Sequence, residues 1–209
     1  MKKAVASILS IVFCLSAFSA CSSEKSIEYH VDLAMAQLGK PTADAYRDMG
    51  LPGDPEKANE VYCLYAKDGL DILGKQLGVV LVHIGTMDKG DKLTEMRTDS
   101  ISYSNSLNGD YDYPFKLYSA LCEAYGGPEP LSDDASSCKV PFSEATPDSL
   151  KTMNRDDYCI AFWKKDGNEI ELHADGDDGG YVILEIKVPI ESLNLPPLYA
   201  DDGTRIHIR

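Results

Sequence analysis

One strand-like motif occurs twice in the sequence, and this repeat decides the expected fold. Tyr62–Gly69 (YCLYAKDG) recurs as Tyr158–Gly167 (YCIAFWKKDG), with two more residues before the second Lys-Asp-Gly. An insertion of two residues keeps the alternation of inward and outward side chains, because side chains alternate with period two along a strand. Lys-Asp-Gly is a hairpin signal, so each copy predicts a strand that turns back at its glycine.

Helical segments precede both copies in the same order. A segment that stops at a glycine comes first, at Thr42–Met49 and at Pro114–Tyr125. A short helix with a cap residue and a proline follows, at Asp54-Pro55 and at Thr146-Pro147. Ile27–Leu38 predicts a further helix that opens the fold.

Alternating apolar and polar residues follow each copy and predict antiparallel strands with one covered face. The pattern is clearest at 169–174 (EIELHA) and 181–188 (YVILEIKV), and Leu93–Tyr103 predicts an extra strand in the first half. The expected fold class is therefore α+β, an antiparallel sheet or sheets with helices packed on one face. The matching order of elements favours a two-fold internal repeat, with halves at about 27–105 and about 106–209.

The first 20 residues have the pattern of a targeting segment. Lys2 and Lys3 precede an apolar run, Ala4–Phe18, which is shorter than the roughly 20 residues of a membrane-spanning helix. Small residues then lead to Cys21. This pattern predicts export from the cytoplasm and a disulfide-permissive compartment.

Phe18-Ser19-Ala20-Cys21 resembles the lipobox of bacterial lipoproteins, although Phe18 stands where that family usually has Leu, Val or Ile. The resemblance implies a signal peptide at 1–20, a lipid on Cys21, a tether at 21–26 and a domain at 27–209. It implies a cell-envelope protein held to a membrane by its lipid, with the domain in the periplasm or at the cell surface. Because Ser22 replaces the Asp of an inner-membrane retention signal, outer-membrane sorting is favoured. The alternative is ordinary signal-peptidase cleavage after Ser19.

Cysteine parity favours the lipid-anchored alternative. If Cys14 leaves with the signal and Cys21 is acylated, four of the six cysteines remain, and an even number suits disulfides. If the two copies of the motif are adjacent strands, Cys63 and Cys159 meet near a pseudo-two-fold axis, and Cys122 and Cys138 close a local loop. The alternative is that the cysteines are small buried side chains without bonds.

The charge of the chain excludes one class of partner. The net charge is −14, and removing Lys2 and Lys3 makes it −16. A nucleic-acid-binding protein needs a basic face, so no nucleic acid is expected. An acidic surface is suited to a basic protein or a cation, and solubility alone is an equal explanation.

No catalytic motif stands out. His30, His83, His173 and His207 have no metal-ligand spacing, and no G-x-S-x-G elbow is present. We therefore expect no enzyme, no cofactor and no metal site, with a hydrolase of dispersed site as an alternative. The acidic loop 175–180 (DGDDGG) resembles the start of a calcium loop but departs from it at the fifth and twelfth positions, which favours a turn and leaves calcium as an alternative.

Two loops combine features of protein interfaces. One mixes aromatic and acidic residues, and the other is the acidic loop just described. The candidate partner-binding residues are Asp110, Tyr111, Asp112, Tyr113, Asp175, Asp177 and Asp178. The leading hypothesis is a non-enzymatic envelope lipoprotein that binds another protein, in one version an immunity or inhibitor protein against a toxin or hydrolase that acts in the periplasm. The alternative is a structural or assembly lipoprotein of an envelope complex.

Overall fold

A computed structural model describes residues 25–54, 59–60, 63–82, 97–131, 139–153, 157–189, 198–199 and 205–206. The helices are α1 (Ile27–Met35), α2 (Thr42–Asp48), α3 (Tyr113–Tyr125) and α4 (Pro147–Lys151). The strands are β1 (Asn59–Glu60), β2 (Cys63–Ile72), β3 (Lys75–Val82), β4 (Ser100–Ser106), β5 (Lys139–Pro141), β6 (Tyr158–Lys165), β7 (Asn168–Asp175), β8 (Tyr181–Lys187), β9 (Leu198–Tyr199) and β10 (Arg205–Ile206).

Eight of these strands form one sheet in the order β1-β2-β3-β4-β8-β7-β6-β5. Every neighbouring pair is antiparallel except β5 and β6, which run parallel. The central pair, β4 and β8, joins the two sequence halves, with Tyr103 opposite Leu184. The predicted α+β class with a mostly antiparallel sheet is confirmed.

Side-chain caps begin α1 and α4. Ser26 caps α1, since its Oγ accepts from the backbone N–H of Tyr29 at 3.4 Å. Thr146 begins α4 with a reciprocal capping box, in which its hydroxyl accepts from the N–H of Ser149 at 3.1 Å and the Ser149 hydroxyl accepts from the N–H of Thr146 at 2.8 Å. The predicted helices at Thr42, Pro114 and Pro147 are confirmed to within about two residues. The short helix predicted to begin at Asp54-Pro55 lies outside the described part of the chain after Asp54.

The two predicted hairpins have different outcomes. Asp166 and Gly167 form a two-residue turn with φ values of 51° and 80°, so the second hairpin is confirmed. The predicted turn at Lys67–Gly69 is wrong, because β2 continues to Ile72 and turns at Leu73-Gly74. Gly69 instead lies where the pairing of β2 with β3 shifts register, and a Cβ there would lie 2.2 Å from the carbonyl oxygen of Leu77.

Helices cover one face of the sheet and form the core with it. Leu81, Ile101 and Leu172 on that face are fully buried. The hydroxyl of Tyr103 donates to the carbonyl of His30 at 2.9 Å, which connects α1 to the central strand. On the opposite face, the outward-facing residues of β7 and β8 are half-buried or exposed, whereas Ser100 and Ser104 of β4 are buried.

We call the other side of the sheet the open face. It is defined by alternation and register, and its central members are Tyr65, Gly78, Val80, Ser100, Ser102, Ser104, Ser106, Phe162, Glu169, Glu171, His173, Asp175, Tyr181, Ile183, Glu185 and Lys187.

The strands that carry Cys63 and Cys159 are not adjacent, which corrects the arrangement assumed for their disulfide. Four strands separate β2 from β6, so at about 4.8 Å per strand they lie on the order of 24 Å apart along the sheet. A disulfide needs Cα atoms within about 7 Å, and the pairing loses its geometric basis. Neither Cys122 nor Cys159 has a disulfide partner among the described residues. Cys138 lies outside the described residues, and the Cys122–Cys138 bridge stays a prediction.

Candidate functional site

The two loops predicted to bind a partner meet at one end of the sheet. The backbone N–H of Leu107 donates to the carbonyl of Gly180 at 2.8 Å, and that of Gly109 donates to Gly179 at 3.3 Å. Gly180 permits this contact, because a Cβ there would lie 2.7 Å from Leu107 Cδ1 and 3.0 Å from Tyr111 Cε1. Two segments far apart in the chain thus form one surface.

We call this surface the acidic end. It consists of Asp110, Tyr111, Asp112, Asp175, Asp177 and Asp178. Asp110, Asp112 and Asp178 are exposed, and Tyr111 is half-buried against Gly180.

Tyr113 does not belong to this surface, which corrects its predicted role as a contact residue. Its side chain is 3% exposed, and its hydroxyl donates to the carbonyl of Ile72 at 2.8 Å. Burial raises its pKa above the ordinary tyrosine value, with further contributions from the charges of Asp71 and Asp110. Tyr113 therefore connects α3 to β2 in the core.

The acidic loop 175–180 is a turn. Asp178, Gly179 and Gly180 have φ values of 47°, 94° and 82°, which glycine and aspartate adopt more readily than other residues. The carboxylate of Asp175 accepts backbone hydrogen bonds from Asp177 and Tyr181, yet burial dominates and raises its pKa. Among the described residues, no group of three or more His, Cys, Asp and Glu side chains is arranged to hold a metal ion.

Two clefts flank the loop that contains Asp110. The first is about 380 Å³ in volume and lies between the β2–β3 turn and α3. In it, the Lys75 ammonium donates to the carbonyl of Leu107 at 3.1 Å and lies 3.5 Å from the Asp110 carboxylate. The second cleft, about 390 Å³, lies between Tyr111 and the start of α4. Lysines and carboxylates share both clefts, so neither has a single sign of charge.

A polar network that sequence reasoning missed crosses the centre of the open face. Lys187 donates to Glu171 at 2.8 Å and to Glu185 at 3.1 Å, and the hydroxyl of Ser100 donates to Glu185 at 2.5 Å. Burial lowers the pKa of Lys187, but the hydrogen bond to Glu171 and the charges of both glutamates outweigh burial and raise it. Lys187 is therefore protonated at neutral pH. Its partners depend on strand register, which the sequence does not state.

The histidines occupy unrelated positions. His173 lies on the open face between Ile160 and Ile183 and packs on the ring of Tyr158, with ring centroids 4.3 Å apart. Burial lowers its pKa. His30 is a buried residue of α1 and packs against the ring of Tyr103. His83 and His207 lie outside the described residues, as does the expected lipid site at Cys21.

Comparison with known proteins gives no relative. No protein-family model matches the chain, and neither a curated protein nor a solved structure matches it. Within the described ranges, no helix has the length and apolar character needed to cross a membrane.

Proposed function

We propose that this chain is a lipid-anchored envelope lipoprotein whose domain binds another protein and performs no catalysis. One observation carries the proposal. The fold joins the aromatic-acidic loop and the acidic turn through the Leu107–Gly180 hydrogen bond, so residues chosen for interface chemistry alone share one surface. A surface that combines exposed carboxylates with Tyr111 has the composition of a protein interface rim.

The partner in this proposal is a basic protein. Exposed carboxylates at the acidic end and the net charge of −14 attract cationic surfaces and raise their association rate. In one version the partner is a toxin or hydrolase that enters the periplasm, and the chain is its immunity or inhibitor protein. Inhibition by steric blockage needs no catalytic centre in the inhibitor.

The membrane anchor in this proposal is a lipid on Cys21, reached through a short polar tether. Ser26 already caps α1, so Ser22–Lys25 is all the chain between the lipid and the domain. Outer-membrane attachment with the domain in the periplasm or at the cell surface follows from the same proposal. A Cys21→Ser variant should leave the membrane fraction, and its retention there would contradict the anchor.

We also propose that the two halves of the domain are copies of one structural unit. The sheet order supports it, since β2-β3-β4 from one half and β8-β7-β6 from the other are mirrored about the central β4–β8 pair. The two motif copies then begin equivalent strands, each next to a short edge strand.

A charge-reversal experiment tests the binding surface. The double variant Asp110→Lys/Asp177→Lys changes one residue in each loop of the acidic end. The matched control Glu123→Lys/Glu129→Lys makes the same charge change at exposed positions of α3 and the segment after it. The anchored proteins are used to capture partners from an envelope extract, and circular dichroism checks their folding.

We expect the acidic-end variant to lose a basic partner that the control retains, with the loss larger at low salt because exposed charges are screened at high salt. Equal capture by both variants would remove the acidic end from the binding surface.

A further inference from the structure

A buried histidine without hydrogen-bond partners lies in α1. His30 is 2% exposed, and neither of its ring nitrogens has a partner among the described residues. The rings of Tyr29 and Tyr103 contact it edge to face, with centroids 5.3 and 6.3 Å away. A neutral imidazole has one donor and one acceptor nitrogen, whereas an imidazolium has two donors and a positive charge. Protonation in place would therefore bury an unpaired charge.

The charged and titratable groups nearest to His30 do not offset that charge. On α1, the Lys25 ammonium lies 4.2 Å from the centroid of the Tyr29 ring and adds a second positive charge. On β2, the carboxylate of Asp71 acts in the opposite direction, but it already accepts from the backbone N–H of Gly74 at 3.2 Å. Burial is the largest effect and lowers the pKa of His30.

The other elements packed on α1 present no free charge to His30. The core-facing residues of β8 are the apolar Val182, Leu184 and Ile186. Other charges near α1 lie around Asp32, which pairs with Lys165 of β6. Tyr125 of α3 interacts with the charges of Asp32 and Glu28.

His30 also provides the hydrogen bond that holds α1 to the centre of the sheet. Its carbonyl accepts from the hydroxyl of Tyr103 on β4 at 2.9 Å. The ring without partners and this contact therefore belong to one residue, so a change in the position of His30 affects both. The rest of the α1 contact with the core is apolar, through Ile27, Val31 and Ala34.

The segment 25–38, which contains α1, is separable from the sheet. None of its residues belongs to a strand. The chain joins the sheet just after it, where Gly39 donates to the carbonyl of Thr98 at 2.8 Å and Thr98 donates to the carbonyl of Lys40 at 2.8 Å. Release of this segment would thus break no strand pairing, and elements of this kind open at a lower free-energy cost than central strands.

We propose that His30 is a pH-sensitive switch, in which proton uptake by its imidazole in mild acid releases the segment 25–38 from the sheet while the eight-stranded sheet stays folded. Release places the imidazolium in water, which solvates its charge. The released form binds the proton with the ordinary histidine pKa, and the docked form binds it only at lower pH. Acid therefore increases the released population.

In a lipid-anchored protein, this switch changes the length of the tether. With α1 docked, Ser22–Lys25 connects Cys21 to the domain, whereas release adds residues 26–38 to the connection. At about 3.3–3.6 Å per extended residue, the added reach is at most on the order of 45 Å. This consequence rests on the proposed lipid anchor, and the release of α1 does not.

Hydrogen exchange of the full chain, read by mass spectrometry at about pH 7.5 and about pH 5.5, tests the switch. Rates are corrected for the intrinsic effect of pH on amide exchange, and peptides from α1 are compared with peptides from β8. Since the released form has a histidine pKa of about 6.5, its population should rise about three- to tenfold over this range. We expect α1 to lose protection by that factor and β8 to keep its protection.

Three variants assign the effect. His30→Leu should give α1 the same protection at both pH values. His173→Leu is the matched control, because it removes another histidine with a lowered pKa and should leave the pH effect on α1 intact. Tyr103→Phe removes the hydroxyl that holds α1 and keeps His30, so protection of α1 should be lower at both pH values and still fall in acid.

The exchange pattern decides the proposal. Unchanged protection of α1 in the wild type overturns it, and this comparison needs no variant. An equal loss in α1 and β8 overturns local release, because the whole domain then unfolds. A loss in acid that persists in His30→Leu overturns His30 as the titrating group. None of these readouts depends on Cys21 or on the acidic end, so failure of the switch is distinguishable from failure of the proposed function.

Discussion

Replacing His30 with leucine should stabilise the protein at neutral pH and flatten its stability profile in mild acid. His30 is 2% exposed and lies between the rings of Tyr29 and Tyr103, with ring centroids 5.3 and 6.3 Å away. Neither ring nitrogen has a hydrogen-bond partner within the part of the chain that the structure describes. A buried polar group without a partner costs about 1–3 kcal/mol, because it loses water and gains nothing in exchange.

Leucine fills a similar volume and brings no polar atom. We therefore expect His30→Leu to raise the free energy of unfolding by about 1–2 kcal/mol at neutral pH, after allowing for imperfect packing of the new side chain. A better helix former at this position of α1 acts in the same direction.

The pH dependence has a definite sign. Burial lowers the pKa of His30 below 6.5, with a further lowering from Lys25 and an opposing effect of Asp71. The unfolded chain then binds the proton before the folded chain does, so stability is lost as the pH falls below about 6.5. One histidine contributes at most about 1.4 kcal/mol per pH unit. His30→Leu should remove this contribution.

Urea unfolding at about pH 7.5 and about pH 5.5 measures both effects. Trp163 is the only tryptophan and is 2% exposed, so its fluorescence reports global unfolding. His173→Leu is the matched control. Burial lowers the pKa of His173 as well, but its nitrogens are not among the buried atoms without a partner. The control should lose acid sensitivity without the gain at neutral pH. A His30→Leu protein that is less stable than the wild type at both pH values would refute the argument.

Three further predictions concern the acidic end, a helix start and the polar network. Gly180→Ala should lower stability by about 1–3 kcal/mol in a thermal melt, because the alanine would have a φ of 82° and its Cβ would lie 2.7 Å from Leu107 Cδ1. Gly127→Ala is the control and should be neutral, because no atom lies within 4 Å of the new Cβ. Thr146→Ala removes the cap of α4 and should cost about 1 kcal/mol in urea unfolding; an unchanged midpoint would contradict the capping box. Lys187→Met leaves two facing glutamates and should cost about 1–2 kcal/mol at neutral pH. Urea unfolding measures this loss, and an unchanged midpoint would contradict the network.

Two kinds of local pattern, alternation along strands and helix capping, predicted the observed elements correctly. Alternation identified β7 and β8, and capping chemistry identified α4. The turn at Asp166-Gly167 follows from residues that tolerate positive φ. The same signal failed at Gly69, because the strand there absorbs the glycine in an irregularity and turns only at Leu73-Gly74. Local turn chemistry does not distinguish these two uses of glycine.

The sequence predicted only part of the candidate site, because it shows composition and not packing. Aspartates and tyrosines in Gly-containing loops identified both segments of the acidic end. Their composition did not reveal that Tyr113 is buried, since exposure depends on what packs around a side chain. The polar network at Lys187 had no sequence signal, because its members are joined only through strand register.

The sequence by itself determined the α+β class, the kinds of local element and the acidic character of the chain, since each of these comes from residues near one another or from composition. Only the tertiary structure decided the strand order, the separation of Cys63 from Cys159 and the meeting of the two acidic loops. These features depend on which strands pair and in what register, and that choice minimises the free energy of the whole sheet and its core rather than of any single segment.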